Sequence, residues 1–306
     1  PQYASQQHHP PDARHVAARA GETILEAGLR AELPLAYDCR SGGCGLCVCT
    51  VLNGRFDHGP YQPAALTEAM RARGQALMCC AVPLEDLELD VESLEPLTKK
   101  AFVGTVVSME RLGPQVIRLL VQPPADLRLD FIAGQYLNVV LDDGERRAFS
   151  FANPPYNSGL IDLHVRLIPG GRFTTHVFEA MKVGDTLRLE GPLGRFTLQE
   201  SERPIVFLAG ATGFAPVKSI IEDAFHRGIT RPMRLYWGVR QPSDLYLRAL
   251  AESWQRDHPN FRFIPVLSDG APGDGWEGRR GLVHEAILAD FPDMRGQEVY
   301  ACGSAM

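Results

Sequence analysis

The sequence predicts three consecutive modules of mixed α and β structure: an α+β unit over residues 1–95, an antiparallel β-barrel over 101–200 and an α/β unit over 203–306. Length alone, at about 150 residues per domain, suggests two domains. Three observations indicate a third. Six of the seven cysteines lie between residues 39 and 80. Short strand-like runs separated by Gly, Pro, Asn and Asp fill residues 101–191. After residue 204, apolar strand-like runs alternate with helical patterns.

The composition excludes several classes of protein. Hydrophobic residues make up 45% of the chain and charged residues 22%, which is ordinary for a globular protein. The longest uncharged and mostly apolar run, 204–217, is shorter than the ~18–20 residues that a membrane span needs. The first eleven residues are polar and lack the apolar core of a signal peptide. We therefore expect a cytoplasmic protein without membrane contact.

The negative charge is concentrated in the first module. Residues 1–95 contain seven arginines, no lysine and thirteen acidic residues, and the rest of the chain is neutral overall. This asymmetry suggests an acidic module that meets a basic face on a partner protein, although it also fits a simple contribution to solubility. No basic stripe is present to neutralise phosphates, so nucleic acid is not an expected partner.

Within the first module, alternation, caps and turn residues predict a strand at 15–19, a helix at 23–30 and a strand at 48–52 that ends at the turn pair Asn53-Gly54. A helix is predicted at 63–74 and a half-buried strand at 87–92. The mixed charge and proline of residues 93–100 indicate a linker.

The cysteines follow the spacing Cys39-x4-Cys44-x2-Cys47, with Cys79 and Cys80 further along. Three glycines lie within the first nine positions and allow the loop to bend closely around a small inorganic core. This is the spacing of a plant-type [2Fe–2S] site. The alternatives are a zinc site, which more often uses two C-x2-C pairs, and redox-active thiols. Spacing alone leaves both later cysteines as candidates for the fourth ligand.

Residues 76–90 resemble the segment around the last ligand of plant-type ferredoxins, where an apolar residue precedes the ligand and an acidic strand follows. The resemblance implies a β-grasp fold and selects Cys79 as the fourth ligand, beside Cys39, Cys44 and Cys47. Cys49 and Cys80 are then interpreted as small buried hydrophobic residues.

The second module is expected to contain one helix at 174–181 among its strands. The predicted strands are 102–108, 116–121, 136–141, 147–152, 161–168 and 186–189. A glycine pair that ends at Gly171 precedes what we interpret as a helix capped by Thr174, which is an anion-binding arrangement with arginines nearby. Taken singly, an arginine on a strand is usually a solvated side chain and a glycine pair is usually a turn.

In the third module, the alternation predicts a parallel sheet with crossover helices. Strands are predicted at 205–209, 233–239, 261–267 and 298–301, and helices at 215–225, 245–256 and 283–291. The turn Gly210-Ala-Thr212-Gly213-Phe-Ala-Pro216 differs from the G-x-G-x-x-G fingerprint but leaves the same room for a pyrophosphate. The alternative is that these glycines serve only to pack the strand against the helix.

Together, in this order, the motifs of the second and third modules resemble the ferredoxin–NADP⁺ reductase superfamily. The resemblance implies a flavin barrel in which Arg147 contacts flavin phosphate, Phe149 packs on the isoalloxazine in place of the commoner tyrosine, and Ser150 lies near the reactive N5. It places Gly171 and Thr174 at the pyrophosphate. The segment His164, Val165 and Arg166 is also assigned to FAD binding.

The same resemblance implies a Rossmann-like nucleotide domain, and the carboxyl edge of its sheet is where such sheets bind ligands. The implied NAD(P)H contacts are Gly210, Thr212, Gly213, Gly238, Arg240, Asp244, Cys302 and Gly303. Cys302 would lie beside the nicotinamide, although a buried inert thiol is an equal alternative. Ser150 and Cys302 are the candidate catalytic residues. Family members continue beyond this point to a terminal aromatic residue, so we expect the chain to be truncated at Met306. The mixed charges after the turn leave NADH and NADPH open, with a lean toward NADH.

These cofactors imply electron transfer from NAD(P)H through FAD to a [2Fe–2S] cluster, and then to another protein. The first hypothesis is the reductase component of a bacterial multicomponent oxygenase, a Rieske dioxygenase acting on aromatic acids or a diiron monooxygenase such as phenol hydroxylase. The second is CDP-6-deoxy-glucoseen reductase of deoxysugar biosynthesis. The third is a binding or scaffold protein that retains the motifs without activity.

Overall fold

The computed structural model describes residues 14–31, 33, 35–37, 39–91, 100–269 and 275–303. The chain divides into two compact units, Pro1–Leu97 and Thr98–Met306. The predicted linker lies outside the described residues except for Lys100, which begins a strand. In the described parts of the chain, no helix is long and apolar enough to cross a membrane.

The first unit is a small α+β structure. Its elements are α1 (Ile24–Arg30), β1 (Val48–Asn53), β2 (Phe56–Asp57), α2 (Glu68–Ala72), β3 (Gln75–Leu77), β4 (Val82–Pro83) and β5 (Glu88–Asp90). Strands β3, β1 and β5 form an antiparallel sheet in that order, and β2 pairs with β4. Leu25 of α1 packs with Leu77 and Met78 in the core of this unit.

Two predictions in this unit are wrong. Residues 15–19 do not form a strand: the carbonyl of Ala17 accepts a hydrogen bond from Arg30 Nη2 at 2.6 Å, a side chain of α1. The helix predicted over 63–74 is only α2, because Thr67 caps it by accepting from the N–H of Met70 and the preceding residues form a turn on Gln62. The helix at 23–30 is confirmed, with Thr23 and Glu26 forming a capping box.

The second unit begins with a closed antiparallel barrel. Its elements are β6 (Lys100–Gly113), β7 (Val116–Gln122), β8 (Tyr136–Val140), β9 (Arg146–Ser150), β10 (Ile161–Arg166), α3 (Arg172–Glu179) and β11 (Thr186–Leu193). The strand order is β10-β7-β6-β11-β8-β9. The N–H of Ala152 donates to the carbonyl of Asp162 at 2.8 Å and so joins the two edges. Inward residues such as Val106, Leu119 and Leu137 are fully buried.

The α/β part of the same unit is a five-stranded parallel sheet. Its elements are β12 (Ile205–Gly210), α4 (Phe214–His226), β13 (Met233–Val239), α5 (Arg248–Asp257), β14 (Phe261–Leu267), β15 (Arg279–Arg280), α6 (Val283–Asp290) and β16 (Glu298–Cys302). The strand order is β15-β14-β13-β12-β16. Phe214 at the start of α4 stacks on Trp237 of β13 at 3.8 Å, which fixes the helix on the sheet.

The barrel and the parallel sheet are joined by buried contacts. Ala133 of the barrel belongs to the core beneath α4. From α4, Lys218 Nζ donates to the carbonyl of Ala152 at 3.0 Å, and Ser219 Oγ donates to that of Asn153 at 2.8 Å. Because these donors are buried, the bonds satisfy polar groups that would otherwise be costly. The two parts therefore form one compact unit.

Candidate functional site

The cysteine loop folds around the thiol of Cys39. The N–H groups of Ser41 and Gly43 donate to Cys39 Sγ at 3.4 and 3.3 Å. Positive φ angles at Arg40, Gly42 and Gly45 turn the loop so that these N–H groups face the sulfur. Burial opposes ionisation of Cys39, but these hydrogen bonds and one with Cys44 outweigh it and lower the pKa of the thiol to about 7. The loop is thus built to hold a thiolate.

The four expected ligand cysteines lie as two interacting pairs. The thiol of Cys39 interacts with that of Cys44, and the thiol of Cys47 interacts with that of Cys79. Across the described residues, no three His, Cys, Asp or Glu side chains converge on a point as a single metal ion would require. Two interacting pairs of sulfurs fit two iron atoms with two protein ligands each.

The two other cysteines of this unit occupy different surroundings. Cys49 lies on β1 and is 2% exposed among the core side chains. Cys80 is also buried, but its sulfur lies 3.6 Å from that of Cys79. The structure therefore places five sulfurs in or beside the loop, while the sixth, Cys49, packs in the hydrophobic core.

On the barrel, two arginines lie near the start of α3. Arg147 Nη2 of β9 donates to Glu145 Oε2 at 2.5 Å, and the same oxygen lies 3.8 Å from Nη1 of Arg172 at the first position of α3. Arg172 is also paired with Asp143. Both guanidinium groups are partly exposed, so they can exchange these carboxylates for phosphate oxygens.

The helix start differs from the prediction. Gly171, not Thr174, occupies the N-cap position of α3, and no side chain caps the helix. Thr174 is buried, and its hydroxyl accepts from the N–H of Ile168 at 3.1 Å, so it closes the preceding turn instead. A glycine N-cap still leaves the first-turn N–H groups and the helix dipole available to an anion.

The remaining barrel residues occupy distinct environments. Phe149 lies 5.2 Å from the ring of Phe173 on α3, and Ser150 pairs with Tyr136 of β8. Val165 is fully buried in the barrel core, so its side chain does not reach a ligand.

His164 is a buried link between the barrel and the α/β part. Its Nδ1 lies 3.0 Å from the hydroxyl of Tyr246, which follows β13, and its Nε2 has no hydrogen-bond partner. Burial lowers the pKa of His164 to about 4, against the opposing effect of Asp162 and with help from Lys218 and Arg118. The imidazole is therefore neutral near pH 7.

A cleft of about 710 Å³ opens at the carboxyl ends of β12, β13 and β16. Eight of the expected site residues line it: Arg166, Gly210, Thr212, Gly238, Arg240, Asp244, Cys302 and Gly303. Gly213 lies behind the cleft wall, where a Cβ atom would approach the carbonyl oxygen of Cys302 to 2.1 Å. The turn can thus pass close to β16 only because this position is glycine.

The cleft also contains residues that the sequence reasoning missed. Ser268 and Asp269 follow β14, and Ser268 Oγ donates to Asp269 Oδ1 at 2.8 Å. Their position after a strand of the parallel sheet is a signal that would have identified them. Val116 and Tyr246 also line the cleft. Val116 belongs to the barrel, and nothing in its local sequence indicates that it faces a nucleotide site.

Comparison with family models assigns the three parts of the chain. Residues 8–84 match a 2Fe-2S iron-sulfur cluster binding domain, residues 104–198 an oxidoreductase FAD-binding domain and residues 207–306 an oxidoreductase NAD-binding domain. The three cofactors expected from the sequence, a [2Fe–2S] cluster, FAD and a nicotinamide nucleotide, are those that these domains bind.

Relatives match along most of the chain. A CDP-6-deoxy-L-threo-D-glycero-4-hexulose-3-dehydrase reductase of Yersinia pestis is 38% identical over 92% of this chain and 85% of its own. Reductase component 2 of terephthalate 1,2-dioxygenase from Comamonas sp. is 39% identical over 93% and 84%. The crystal structure of an Amycolatopsis cytochrome P450 reductase superposes with a TM-score of 0.68 at 34% identity, covering 95% of this chain and 88% of that one.

Proposed function

The chain belongs to the family of [2Fe–2S] flavoprotein reductases, which pass electrons from NAD(P)H through FAD to an iron–sulfur cluster. We propose that it reduces the oxygenase component of an aromatic-ring-hydroxylating Rieske dioxygenase. The observation that carries this proposal is the presence of two cysteine pairs, a flavin barrel and a nucleotide cleft on one chain. The 39% identity to a terephthalate dioxygenase reductase component supports the choice of partner class.

The three cofactors, when bound, supply hydride donation, conversion of an electron pair into single electrons and one-electron delivery. The chain's own part is to bind and orient them. We propose that Cys39, Cys44, Cys47 and Cys79 hold the cluster. The N–H groups of Ser41 and Gly43 would stabilise the thiolate of Cys39.

For the flavin, we propose that Arg147 and the start of α3 at Gly171 bind the pyrophosphate. Phe149 supplies a ring for stacking, and its lack of a hydroxyl removes one hydrogen bond that a tyrosine would make. Ser150, which follows Phe149 on β9, is proposed to lie near the reactive edge of the ring. Thr174 acts by closing the turn before α3. Of the segment His164, Val165 and Arg166, only Arg166 lines the cleft, and the side chains of the other two are buried and support it from behind.

For the nicotinamide nucleotide, the glycines Gly210, Gly238 and Gly303 leave the cleft wall free of side chains, and Thr212 and Arg240 add polar groups. Cys302 is proposed to lie beside the nicotinamide. We propose NADH as the donor, because the carboxylates of Asp244 and Asp269 would accept from a ribose hydroxyl and repel a 2′-phosphate. In steady-state kinetics, kcat/KM should be higher for NADH than for NADPH. Asp269→Asn should lower the ratio of the NADH value to the NADPH value. Asp293→Asn, which lies outside the cleft, should leave that ratio unchanged.

The acidic first unit is the proposed docking side for the partner. Four exposed carboxylates lie in and before β5, at Glu85, Asp86, Glu88 and Asp90. Negative charge on this surface would steer a partner with a basic face, with an association rate that falls as salt rises.

Two other partners are alternatives within the same mechanism. The 36% identity to the reductase component of a Pseudomonas phenol 2-monooxygenase favours a diiron monooxygenase, and the 38% identity to the Yersinia enzyme favours a dehydrase of deoxysugar synthesis.

Reconstitution of electron transfer with purified partner proteins decides among the three candidate partners. The purified chain is mixed with each purified partner and its substrate, and product per NADH is measured. Coupled turnover with a Rieske component supports our proposal, and turnover only with another partner contradicts it.

The electron path is tested on the chain itself. Anaerobically purified protein should contain two irons and two acid-labile sulfides for each FAD, and NADH should bleach its visible absorption. A colourless protein without NADH oxidation would instead indicate a scaffold. Zinc in place of iron and sulfide would refute the cluster assignment.

The flavin assignment is tested by Arg147→Ala. Loss of the guanidinium should weaken flavin retention, measured as FAD per chain after gel filtration. Arg128→Ala is the matched control, because Arg128 is exposed and its ion-pair partner within the described parts of the chain is Asp130, away from α3. Full FAD occupancy in Arg147→Ala would exclude this residue from the phosphate site.

A further inference from the structure

Cys80 is a buried thiol placed against a cluster ligand. Its sulfur lies 3.6 Å from Cys79 Sγ, within the range of a hydrogen bond between sulfurs, and the residue is 7% exposed. It also faces the cysteine loop, since a Cβ atom on Gly42 would come within 2.7 Å of Cys80 Sγ. The ligand loop thus packs directly over this thiol.

The direction of the hydrogen bond follows from the ligand set. A cysteine that binds iron is a thiolate and can only accept a hydrogen bond, so with Cys79 as ligand the proton must lie on Cys80. We propose that Cys80 ligates no iron but donates an S–H···S hydrogen bond to Cys79, and that this bond raises the reduction potential of the cluster. The inference rests on the proposed ligand set, because exchanging Cys79 and Cys80 would reverse donor and acceptor.

The effect on the potential has a simple cause. Reduction adds negative charge that the ligand sulfurs share, and a donor to such a sulfur binds the more negative state more strongly. Only the strengthening of this bond on reduction shifts the equilibrium. A gain of about 0.5–1.5 kcal/mol, the size of a typical protein hydrogen bond's net contribution, corresponds to a roughly two- to tenfold change in the reduction equilibrium. For a one-electron couple, tenfold equals about 59 mV.

Cys49 provides a matched control. It lies in the same unit, is also buried, and is not among the proposed ligands. It packs in the core on β1, and no hydrogen bond joins its thiol to another cysteine among the described residues. A change at Cys49 therefore tests for a general disturbance of the unit, whereas a change at Cys80 tests the S–H donor.

The experiment is an anaerobic redox titration of the full-length holoprotein, with the cluster followed by electron paramagnetic resonance. Cys80→Ala should lower the midpoint potential by the equivalent of a two- to tenfold change. Cys80→Ser retains a hydrogen-bond donor, so its midpoint potential should lie nearer the native value. The midpoint potential of Cys49→Ala should equal the native value. The flavin midpoint in the same samples should not move. An unchanged potential in Cys80→Ala, or an equal shift in Cys49→Ala, overturns the inference.

A second measurement covers the case in which Cys80→Ala fails to fold or to retain iron. In the native protein, proton–deuterium exchange should remove a proton coupling to the reduced cluster that arises from the Cys80 thiol, and Cys80→Ser should alter it. Absence of any exchangeable coupling beyond those of backbone N–H groups overturns the inference. Iron retained by Cys79→Ser but lost from Cys80→Ser overturns it as well, by making Cys80 the ligand. Native protein without iron and sulfide would instead refute the proposed function.

Discussion

At the scale of single residues, His164 shows how burial changes the chemistry of a side chain. Its ring is fully buried between the barrel and the α/β part, with one nitrogen bonded to Tyr246 and the other unpartnered. A protonated imidazole would be a buried cation there, so folding favours the neutral form. Asp162 lies 3.7 Å from the unpartnered nitrogen but is already bound by Arg118, so it compensates only in part.

This burial predicts a loss of stability in acid. The folded pKa of His164 is about 4 and the unfolded value about 6.5, so the unfolded chain binds more protons between these pH values. The free energy of unfolding is therefore highest, as far as His164 is concerned, above pH 6.5, where the imidazole is neutral in both states. It falls by ~3 kcal/mol as the pH decreases from 6.5 toward 4. Urea unfolding of the second unit, followed by tryptophan fluorescence, should show this decline. The decline should be shallower in His164→Asn and unchanged in His284→Asn, an exposed control; equal slopes in all three proteins would contradict the prediction.

The cluster ligands make a second residue-scale prediction. Cys79→Ser should abolish electron transfer through the cluster, measured as cytochrome c reduction, because one iron loses a sulfur ligand. NADH-dependent ferricyanide reduction through the flavin should continue, since all residues proposed for that step lie in the second unit. Cys80→Ser should keep both activities. The opposite result for the two variants would assign the ligand to Cys80.

At the scale of elements, the junction between β12 and α4 decides whether the nucleotide cleft can form. Ala211 adopts a φ of 49°, and its carbonyl accepts from Trp237 Nε1 at 3.0 Å, so the turn is anchored to the neighbouring strand. A Cβ atom added to Gly303 would come within 3.1 Å of Gly210 Cα, so the two backbones pass close to each other without room for side chains. The cleft is thus bounded by backbone, as a pyrophosphate requires.

This geometry predicts that Gly213→Ala damages the nucleotide site. The added Cβ atom would lie 2.1 Å from the carbonyl oxygen of Cys302, a backbone atom of β16 that cannot swing aside as a flexible side chain could. We expect the KM for NADH to rise at least about tenfold, or the stability of the second unit to fall by 1–3 kcal/mol, as is usual for overpacking. Steady-state kinetics and urea unfolding measure the two effects. Gly296→Ala, where the added atom meets no neighbour, is the control, and identical behaviour of both variants would show that the turn can move freely.

At the scale of the whole molecule, the first and second units have separate hydrophobic cores. One buried cluster belongs entirely to the first unit, and the other three belong to the second. In the described residues, no buried cluster draws side chains from both units. Each unit therefore has its own source of folding free energy.

This separation predicts that a fragment of residues 98–306 folds alone. It should retain FAD and NADH-dependent ferricyanide reduction at a rate within about twofold of the full chain, because its cores remain complete. It should contain no iron and should not reduce cytochrome c. Circular dichroism and FAD content test the folding, with the full-length protein as control. Aggregation or loss of FAD in the fragment would show that the second unit depends on the first.

Much of the fold was predictable from local pattern. Strands such as Met233–Val239 and Phe261–Leu267 have the predicted bounds, because continuous apolar runs between turn residues mark buried parallel strands. The cysteine spacing and the glycine turn could also be recognised from the sequence, because their chemistry depends on residues close together in the chain. Secondary-structure predictions were wrong where a side chain from another element binds the segment. The carbonyl of Ala17, in a segment predicted to be a strand, accepts a hydrogen bond from the side chain of Arg30.

The amino-acid sequence by itself determined the types of cofactor and the order of the three modules, because short motifs with fixed spacing carry that information. Only the tertiary structure decided which thiols pair, that Thr174 closes a turn instead of capping α3, and that Val116, Tyr246 and Asp269 share one cleft with Cys302. The physical reason is distance along the chain: a contact between residues far apart depends on how whole sheets pack, and no local period or propensity encodes it.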